Sequence, residues 1–207
     1  MHHNIIIAGV GGQGILTIAR VLSLAAIDKG LHVKQAEVHG MSQRGGAVYS
    51  HLRISDREIF SDLIPSGQAD LILAIEPLEA LRYAAMLRKD GIVVASTNAE
   101  VNIGDYPAIE NVLQHIAAFR NHVAVDMEKL ARAAGGVLAA NIVALGALTE
   151  LTRVVSKKAM ENAVLRRVPR GTESLNRQAL RAGIAAAKRV GKSASLSRHI
   201  VWENEDL

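Results

Sequence analysis

The stretch "NIIIAGVGGQGILTIARVLSLAA" (residues 4–26) decides the fold, because it places a strand, a glycine-rich turn and a helix in direct succession. Its three isoleucines are β-branched and uninterrupted, which is typical of a parallel strand covered on both faces. Residues 11–14 then form the turn. Apolar residues recur at helical spacing up to Gly30, which can end the helix. The stretch therefore predicts an α/β domain that begins with a β-α unit.

A second strand is predicted at residues 32–38, and after it the alternation of strands and helices breaks. Instead of a helix comes the glycine-rich "HGMSQRGG" (residues 39–46), followed by "AVYSHLRIS" (residues 47–55), in which apolar and polar residues alternate. This alternation predicts a third strand, paired beside the second as an antiparallel hairpin. The short "REIFSDLI" (residues 57–64) is a further candidate strand.

Regular alternation then resumes and the chain ends in helices. Strands are predicted at residues 69–76, 91–96 and 122–126, and helices at the segment beginning with Pro77 and at residues 109–118, 141–151, 157–166 and 172–188. The pattern predicts a Rossmann-like three-layer α/β domain with a mostly parallel sheet, an added antiparallel hairpin and a helical C-terminal region. We assign residues 1–190 to this single domain and residues 191–207 to a polar C-terminal tail.

The composition narrows the classes of function. The 207 residues include no cysteine, which excludes disulfides, thiolate nucleophiles and cysteine-bound iron–sulfur clusters on this chain. The eight histidines are scattered, so no metal site is predicted, and His2 and His3 receive no role. No apolar run is long enough to span a bilayer and no leader pattern opens the chain, so we expect a soluble, cytoplasmic protein with no membrane partner.

Positive charge is concentrated between residues 153 and 192, where Glu161 and Glu173 are the only acidic residues. The basic residues there are Arg153, Lys157, Lys158, Arg166, Arg167, Arg170, Arg177, Arg181, Lys188, Arg189 and Lys192. Nucleic-acid binding would also need aromatic side chains for stacking, and aromatic residues are only 3% of the chain. No nucleic-acid partner is therefore predicted. A solvated helical face and an acidic protein partner remain as interpretations of this basic region.

The first glycine loop has two interpretations. Gly9, Gly11 and Gly14 satisfy the pattern G-x-G-x-x-G between a strand and a helix, and Glu37 stands where a ribose-binding acid would be expected. Such glycines let the backbone approach a phosphate at the helix N-terminus, or they merely allow tight packing. Against a dinucleotide fold, Glu37 is followed by another glycine-rich loop rather than by a crossover helix. A free-standing NAD(P)-binding oxidoreductase is therefore an alternative function rather than the preferred one.

The second glycine loop contains "SQRGG", which combines a cation with exposed backbone donors. Arg44 adjoins Gly45 and Gly46, whose N–H groups suit a phosphate or carboxylate, while Ser42 and Gln43 can add hydrogen bonds. Alternatively, the glycines only supply unusual backbone angles and Arg44 pairs with Glu37 or Asp62. The residues alone support these two interpretations equally.

The two glycine-rich stretches together resemble the γ subunit, or γ domain, of the 2-oxoacid:ferredoxin oxidoreductases. The form "EVHGMSQRGG" (residues 37–46) is similar to the small, β-named subunit of the indolepyruvate branch. The similarity continues through "AANIVALGAL" (residues 139–148) and "VPRGTESLNRQALRAG" (residues 168–183). It therefore covers nearly the whole chain, and the four motifs stand in the family order.

The resemblance implies a division of labour between chains. A catalytic partner chain would hold thiamine diphosphate, magnesium and the iron–sulfur clusters, decarboxylate the 2-oxoacid, reduce ferredoxin and transfer the acyl group to coenzyme A. This chain would be an accessory oxidoreductase subunit with no catalytic residue of its own, inactive alone, in an enzyme that acts on indolepyruvate and related arylpyruvates. The alternative is a purely architectural subunit of a 2-oxoglutarate or pyruvate ferredoxin oxidoreductase.

The family also suggests where this chain meets a ligand, because its γ domain lies beside the active-site region and can help to shape the entrance for coenzyme A. We therefore expect a coenzyme A site at the subunit interface. Its predicted lining is Gly11, Gly12, Gln13, Gly14, Ser42, Arg44, Gly45 and Gly46. Asn141 and Asn176, in apolar helices, are either interface contacts or are hydrogen-bonded within their own fold.

Overall fold

The computed structural model describes residues 1–39 and 45–193. Its strands are β1 (His2–Val10), β2 (His32–His39), β3 (Ala47–Ser55), β4 (Ala69–Ala74), β5 (Leu87–Ser96) and β6 (His122–Val125). Its α-helices are α1 (Ile15–Ile27), α2 (Pro77–Arg82), α3 (Ile109–Ala117), α4 (Met127–Ala134), α5 (Ala140–Thr152), α6 (Lys157–Leu165) and α7 (Glu173–Ser193). Short 3₁₀ turns occupy Ala84–Met86 and Val137–Ala139.

The six strands form one sheet in the order β2-β3-β1-β4-β5-β6. β1, β4, β5 and β6 run parallel, whereas β3 is antiparallel to both of its neighbours. The predicted mostly parallel sheet and its antiparallel hairpin are therefore confirmed. β3 lies between β1 and β2, so β2 does not touch the first strand.

Helices cover both faces of the sheet. Ile5 and Ile7 point into the large core shared with α1 and α4 to α7, while Ile6 and Ala8 face the opposite side. All four side chains are fully buried, which explains why the isoleucine run lacks the polar alternation of a half-exposed strand. α2 and α3 pack on β4 and β5 at that opposite face. The Rossmann-like three-layer prediction is confirmed, as is the helical C-terminal region.

Two glycines in mid-helix let α5 and α7 pack backbone against backbone. A Cβ atom placed on Gly183 would overlap the carbonyl oxygen of Val143 and lie 3.0 Å from the N atom of Ala147. A Cβ on Gly146 would likewise overlap the carbonyl oxygen of Leu180. A glycine inside a helix lowers its stability by about 1 kcal/mol relative to alanine. The close packing of α5 against α7, which only glycine permits at these two positions, offsets that loss.

The predicted strand at residues 57–64 is wrong. The segment is irregular because its backbone bonds to side chains of β3 instead of to a neighbouring strand: the Arg53 guanidinium donates to the carbonyl oxygen of Ser61 at 2.8 Å, and the N–H of Ile64 donates to Nδ1 of His51 at 3.1 Å. β4 also ends at Ala74, before the predicted residue 76.

α7 runs to Ser193, beyond its predicted end at residue 188. Residues 194–207, which make up most of the predicted tail, lie outside the described residues, so the domain boundary stays a prediction. No helix in the described ranges is long and apolar enough to cross a membrane.

The two N-terminal histidines, for which no role is predicted, lie in β1. His3 is only 2% exposed in β1, and burial is the main cause that lowers its pKa to about 4. Its ring is therefore neutral near pH 7. Nε2 of His2 forms a hydrogen bond with Oδ1 of Asn4 at 2.9 Å, at the end of β1 opposite to the glycine loop.

Candidate functional site

The loops that follow the parallel strands all emerge at one edge of the sheet, which we call the carboxyl edge. It carries residues 11–14 after β1, Glu76 after β4, residues 97–108 after β5 and Asp126 after β6. Because β3 is antiparallel, its first residues bring residues 45–46 to the same edge. Ligands of open α/β sheets bind outside this edge, so a ligand of the predicted site would bind here.

The two glycine loops are joined there by a hydrogen bond. The N–H of Gly11 donates to the carbonyl oxygen of Gly46 at 2.9 Å. Gln13 closes the first loop on itself, because its Oε1 accepts from the N–H of Val10 at 2.9 Å and its N–H donates to the carbonyl oxygen of Val10 at 3.1 Å. The structure thus brings together the predicted residues that it describes. Ser42 and Arg44 lie outside the described residues.

Two glycines of the first loop serve packing. A Cβ atom on Gly9 would lie 2.6 Å from Cδ1 of Ile15 in α1. A Cβ on Gly14 would lie 2.5 Å from Nδ2 of Asn141 in α5, and the φ of Gly14 is +80°. The tight-packing interpretation therefore holds at these positions. Asn141 is accordingly a contact of the glycine loop within the fold.

Two other glycines face open space. Gly12 has φ +108° and Gly45 has φ +74°, and a Cβ on either would meet nothing within 4 Å. Packing does not demand glycine there; the left-handed backbone does. No acceptor among the described residues takes the N–H of Gly12, and α1 begins at its Gly14 cap without a side-chain acceptor. The N–H group of Gly12 and those of the first two residues of α1 can therefore donate hydrogen bonds to an anion.

A segment that sequence reasoning missed, residues 97–108, borders the second glycine loop. Nδ2 of Asn102 donates to the carbonyl oxygen of Gly45 at 2.6 Å. The hydroxyl of Tyr106 donates to Oε1 of Glu76, whose Oε2 accepts from a backbone N–H at the start of α2. Burial and, after it, the hydrogen bond to the Glu76 carboxylate raise the pKa of Tyr106. The stretch "TNAEVNIGDYPA" has no helical or strand period, so the sequence offered no signal for these contacts.

The position of Glu37 does not favour a dinucleotide site. Glu37 aligns with Ser50 of β3, which in turn aligns with Ile7 of β1. Two strand spacings, roughly 10 Å, therefore separate Glu37 from the strand that leads into the glycine loop. Nε2 of Gln35 donates to Oε1 of Glu37 at 2.7 Å. In a dinucleotide-binding fold the ribose-binding acid stands at the end of a strand that lies directly beside β1. Here β3 lies between β1 and β2, so Glu37 is too far away to reach a ribose bound at the first glycine loop.

Comparison with known proteins agrees with the fold. The family model described as "Pyruvate ferredoxin/flavodoxin oxidoreductase" matches residues 4–186. The chain belongs to this family. It is a small subunit of the 2-oxoacid:ferredoxin oxidoreductases, as the resemblance predicts.

Individual members of the family are similar over most of their length. Indolepyruvate oxidoreductase subunit IorB of Pyrococcus horikoshii is 38% identical over 195 residues, covering 90% of this chain and 96% of the relative. 2-Oxoglutarate synthase subunit KorC of Methanothermobacter marburgensis is 35% identical, covering 88% and 95%. The crystal structure of the keto/oxoacid ferredoxin oxidoreductase gamma subunit of Geobacter sulfurreducens superposes with a TM-score of 0.69 at 33% identity, covering 90% and 99%.

Part of the positive charge of this oxidoreductase subunit is neutralised within the fold. The ion pairs are Lys157–Glu150, Arg166–Asp28, Arg177–Glu161 and Arg181–Glu161. Asp28 and Glu150 precede the basic region in the chain, so the sequence count did not include them. Nδ2 of Asn176 donates to the carbonyl and hydroxyl oxygens of Thr172, which makes this asparagine a contact within its own fold.

A hydrogen-bond network fixes the far end of the subunit's carboxyl edge. Oδ1 of Asp126 accepts from the N–H of Lys129 at 2.9 Å, which caps α4, and from Nδ2 of Asn98 at 3.0 Å. Oδ1 of Asn98 accepts from the hydroxyl of Ser96 and from the N–H of Glu128. The bonds that Asp126 accepts, first that from the N–H of Lys129 and then that from Asn98, lower the pKa of its carboxyl group.

Asp126→Asn is expected to destabilise the protein at pH 7 by about 0.5–1 kcal/mol, because asparagine still caps α4 but lacks the charge that favours a helix N-terminus. The pKa of Asp126 is lower in the folded state, so its contribution is complete above the unfolded value of about 3.9 and is lost as pH falls through the folded value. Unfolding free energies of both proteins should therefore converge on acidification. The exposed Asp105→Asn serves as the control, and a constant difference across pH would contradict the prediction.

Proposed function

We propose that this chain is the γ-type subunit of a cytoplasmic enzyme that converts indolepyruvate or related arylpyruvates, coenzyme A and oxidised ferredoxin into acyl-coenzyme A, carbon dioxide and reduced ferredoxin. Support comes from the IorB relatives, which are 38% and 36% identical over 90% of this chain. The KorC relative, at 35% identity, makes a 2-oxoglutarate enzyme the second candidate. A pyruvate enzyme is the third, supported by the gamma subunit common to the pyruvate and ketoisovalerate oxidoreductases of Pyrococcus abyssi.

The redox chemistry would belong to the catalytic partner chain. This chain has no cysteine for iron–sulfur clusters, and its described residues contain no group of three or more histidine, aspartate or glutamate side chains that could hold a metal ion. Thiamine diphosphate, magnesium and the clusters would therefore be held by the partner, which would also pass electrons to ferredoxin. This subunit alone would be inactive.

Its own contribution would be an anion-binding site for coenzyme A at the carboxyl edge. The observation that carries this proposal is the pair of left-handed glycines, Gly12 and Gly45, which face open space on two loops joined by the bond from Gly11 to Gly46. Backbone N–H groups of such loops bind phosphate oxygens, and coenzyme A offers a diphosphate and a further phosphate. Arg44, directly before Gly45 in the chain, would add a charged, bidentate donor.

The predicted lining of the site is then divided by role. Gly12, Gly45 and Gly46 would present backbone N–H groups to the phosphates, with Ser42 and Arg44 as side-chain donors. Gly11 would hold the two loops together, because its N–H donates to the carbonyl oxygen of Gly46. Gln13 would hold the first loop in shape, because its Oε1 is engaged by the N–H of Val10. Gly14 would seat the loop against α5. The competing possibility is a purely architectural subunit, in which these loops only pack against the catalytic chain.

Reconstitution tests the subunit assignment. Reduction of ferredoxin or a viologen dye is followed anaerobically with the cognate thiamine- and cluster-bearing chain, indolepyruvate and coenzyme A, with and without this protein. We expect activity only when both chains are present, and higher kcat/KM for indolepyruvate than for 2-oxoglutarate or pyruvate in the same preparation.

The controls separate the parts of the proposal. Full activity of the partner alone would contradict a required subunit. If the assembled enzyme preferred 2-oxoglutarate or pyruvate, the subunit assignment would stand and indolepyruvate would be wrong as its substrate. If the chains neither associate nor react together, titration of the isolated chain with NAD(H) would test the nucleotide-binding alternative directly.

A further inference from the structure

The segment of residues 97–108 is a long surface loop held down at a few points. Every side chain in residues 99–108 is exposed except those of Asn102 and Tyr106. These two make the contacts to Gly45 and Glu76, respectively. Exposed loops without such tethers open locally at little cost in free energy. The tethers therefore decide where this segment lies relative to the second glycine loop.

The hydrogen bond from Tyr106 joins the segment to a buried, fixed side chain. Glu76, which accepts its hydroxyl, is only 1% exposed and is itself fixed as the N-cap of α2. At the other end of the segment, Asn98 is held by Asp126 and by the N–H of Glu128. Asn102 thus lies between two fixed ends, and its amide is held against Gly45.

The hydrogen bond from Asn102 has a directional consequence. A trans peptide is planar, so the carbonyl oxygen of Gly45 and the N–H of Gly46 point in opposite directions from the same plane. Nδ2 of Asn102 holds that oxygen at 2.6 Å, and thereby turns the N–H of Gly46 away from the loop of residues 97–108. The next carbonyl, that of Gly46, is held by the N–H of Gly11. Among the described residues, no acceptor takes the N–H of Gly46.

We propose that Asn102 is a positioning residue that aims the N–H of Gly46 at the phosphates of coenzyme A. This inference rests on the proposed coenzyme A site and names the residue that orders it. Gly45 has φ +74° and open space around it, so little else in the described residues fixes this peptide plane. Without the amide of Asn102 the plane can rotate, and the donor is lost from its direction for part of the time.

Asn102→Ala tests this in the assembled enzyme, with Asn102→Asp as a second variant of nearly the same size that cannot donate. Asn111→Ala, at an exposed asparagine in α3, is the matched control. We expect faster amide hydrogen exchange in peptides containing residues 45–46, and KM for coenzyme A raised about fivefold, as for the loss of one hydrogen bond. The change should fall on KM rather than on kcat, and Tm should stay near that of the control.

Comparison with Arg44→Ala separates this inference from the function on which it rests. Unchanged exchange at residues 45–46 in both Asn102 variants would overturn the positioning role. A raised KM for coenzyme A in Arg44→Ala but not in Asn102→Ala would also overturn it, while the coenzyme A site would stand. If neither Arg44→Ala nor Asn102→Ala changed that KM, the proposed site itself would be wrong.

Discussion

Gly183→Ala is expected to lower the free energy of unfolding by about 3 kcal/mol, at the upper end of overpacking penalties. The added methyl would overlap the carbonyl oxygen of Val143 and lie 2.8 Å from its carbon and 3.0 Å from the N atom of Ala147. All of these are backbone atoms of α5, which cannot rotate away as a flexible side chain would. α5 and α7 must therefore separate along their crossing, and Tm should fall by roughly 6–12 °C.

Chemical denaturation of Gly183→Ala, Gly146→Ala and the double variant measures this directly. Gly146 approaches α7 at the same crossing, 3.0 Å from Cβ to the N atom of Ile184, so the second substitution should cost less than the first once the helices have moved apart. Gly104→Ala is the matched control, because a Cβ there meets nothing within 4 Å. A change at Gly183 as small as that of Gly104 would mean that the two helices are not packed so closely.

The sheet could be predicted from sequence because its signals are local. Three buried isoleucines, a glycine turn and a helical period lie within residues 4–26, and the alternation in residues 47–55 reports a strand with two different faces. The order of the strands is not local. Insertion of β3 between β1 and β2 became visible only in the pairing, and it is this insertion that separates Glu37 from the glycine loop.

Features that depend on contacts between distant segments could not be predicted. Apolar residues in 57–64 indicated a strand, but Arg53 and His51 of β3 take its backbone hydrogen bonds. Asn102 lies 57 residues from Gly45 in the chain, and no spacing rule connects them. The glycine loop itself shows the same limit: the pattern G-x-G-x-x-G did not reveal that Gly14 packs against α5 whereas Gly12 faces open space.

Arg44→Ala is expected to raise KM for coenzyme A at least about tenfold in the assembled enzyme, because a charge-assisted bond to phosphate contributes roughly 1.5–3 kcal/mol. Arg44 directly precedes Gly45 in the chain. Gly45 itself lies at the edge where the two glycine loops are joined by the bond from Gly11 to Gly46. Steady-state kinetics with coenzyme A varied and the 2-oxoacid saturating measures the effect. Gly183→Ala would act on stability; Arg44→Ala should leave Tm nearly unchanged.

Two further variants show whether the effect belongs to a phosphate-binding guanidinium. Arg44→Lys keeps the charge but loses the two-pronged donor, so its KM should fall between those of the wild type and Arg44→Ala. Arg170→Ala removes the same charge from an exposed position in the basic C-terminal region and should change KM little. If Arg44→Ala and Arg170→Ala behaved alike, Arg44 would contribute only to the general field of the protein. The glycines would then serve packing and backbone conformation, as Gly9 and Gly14 do.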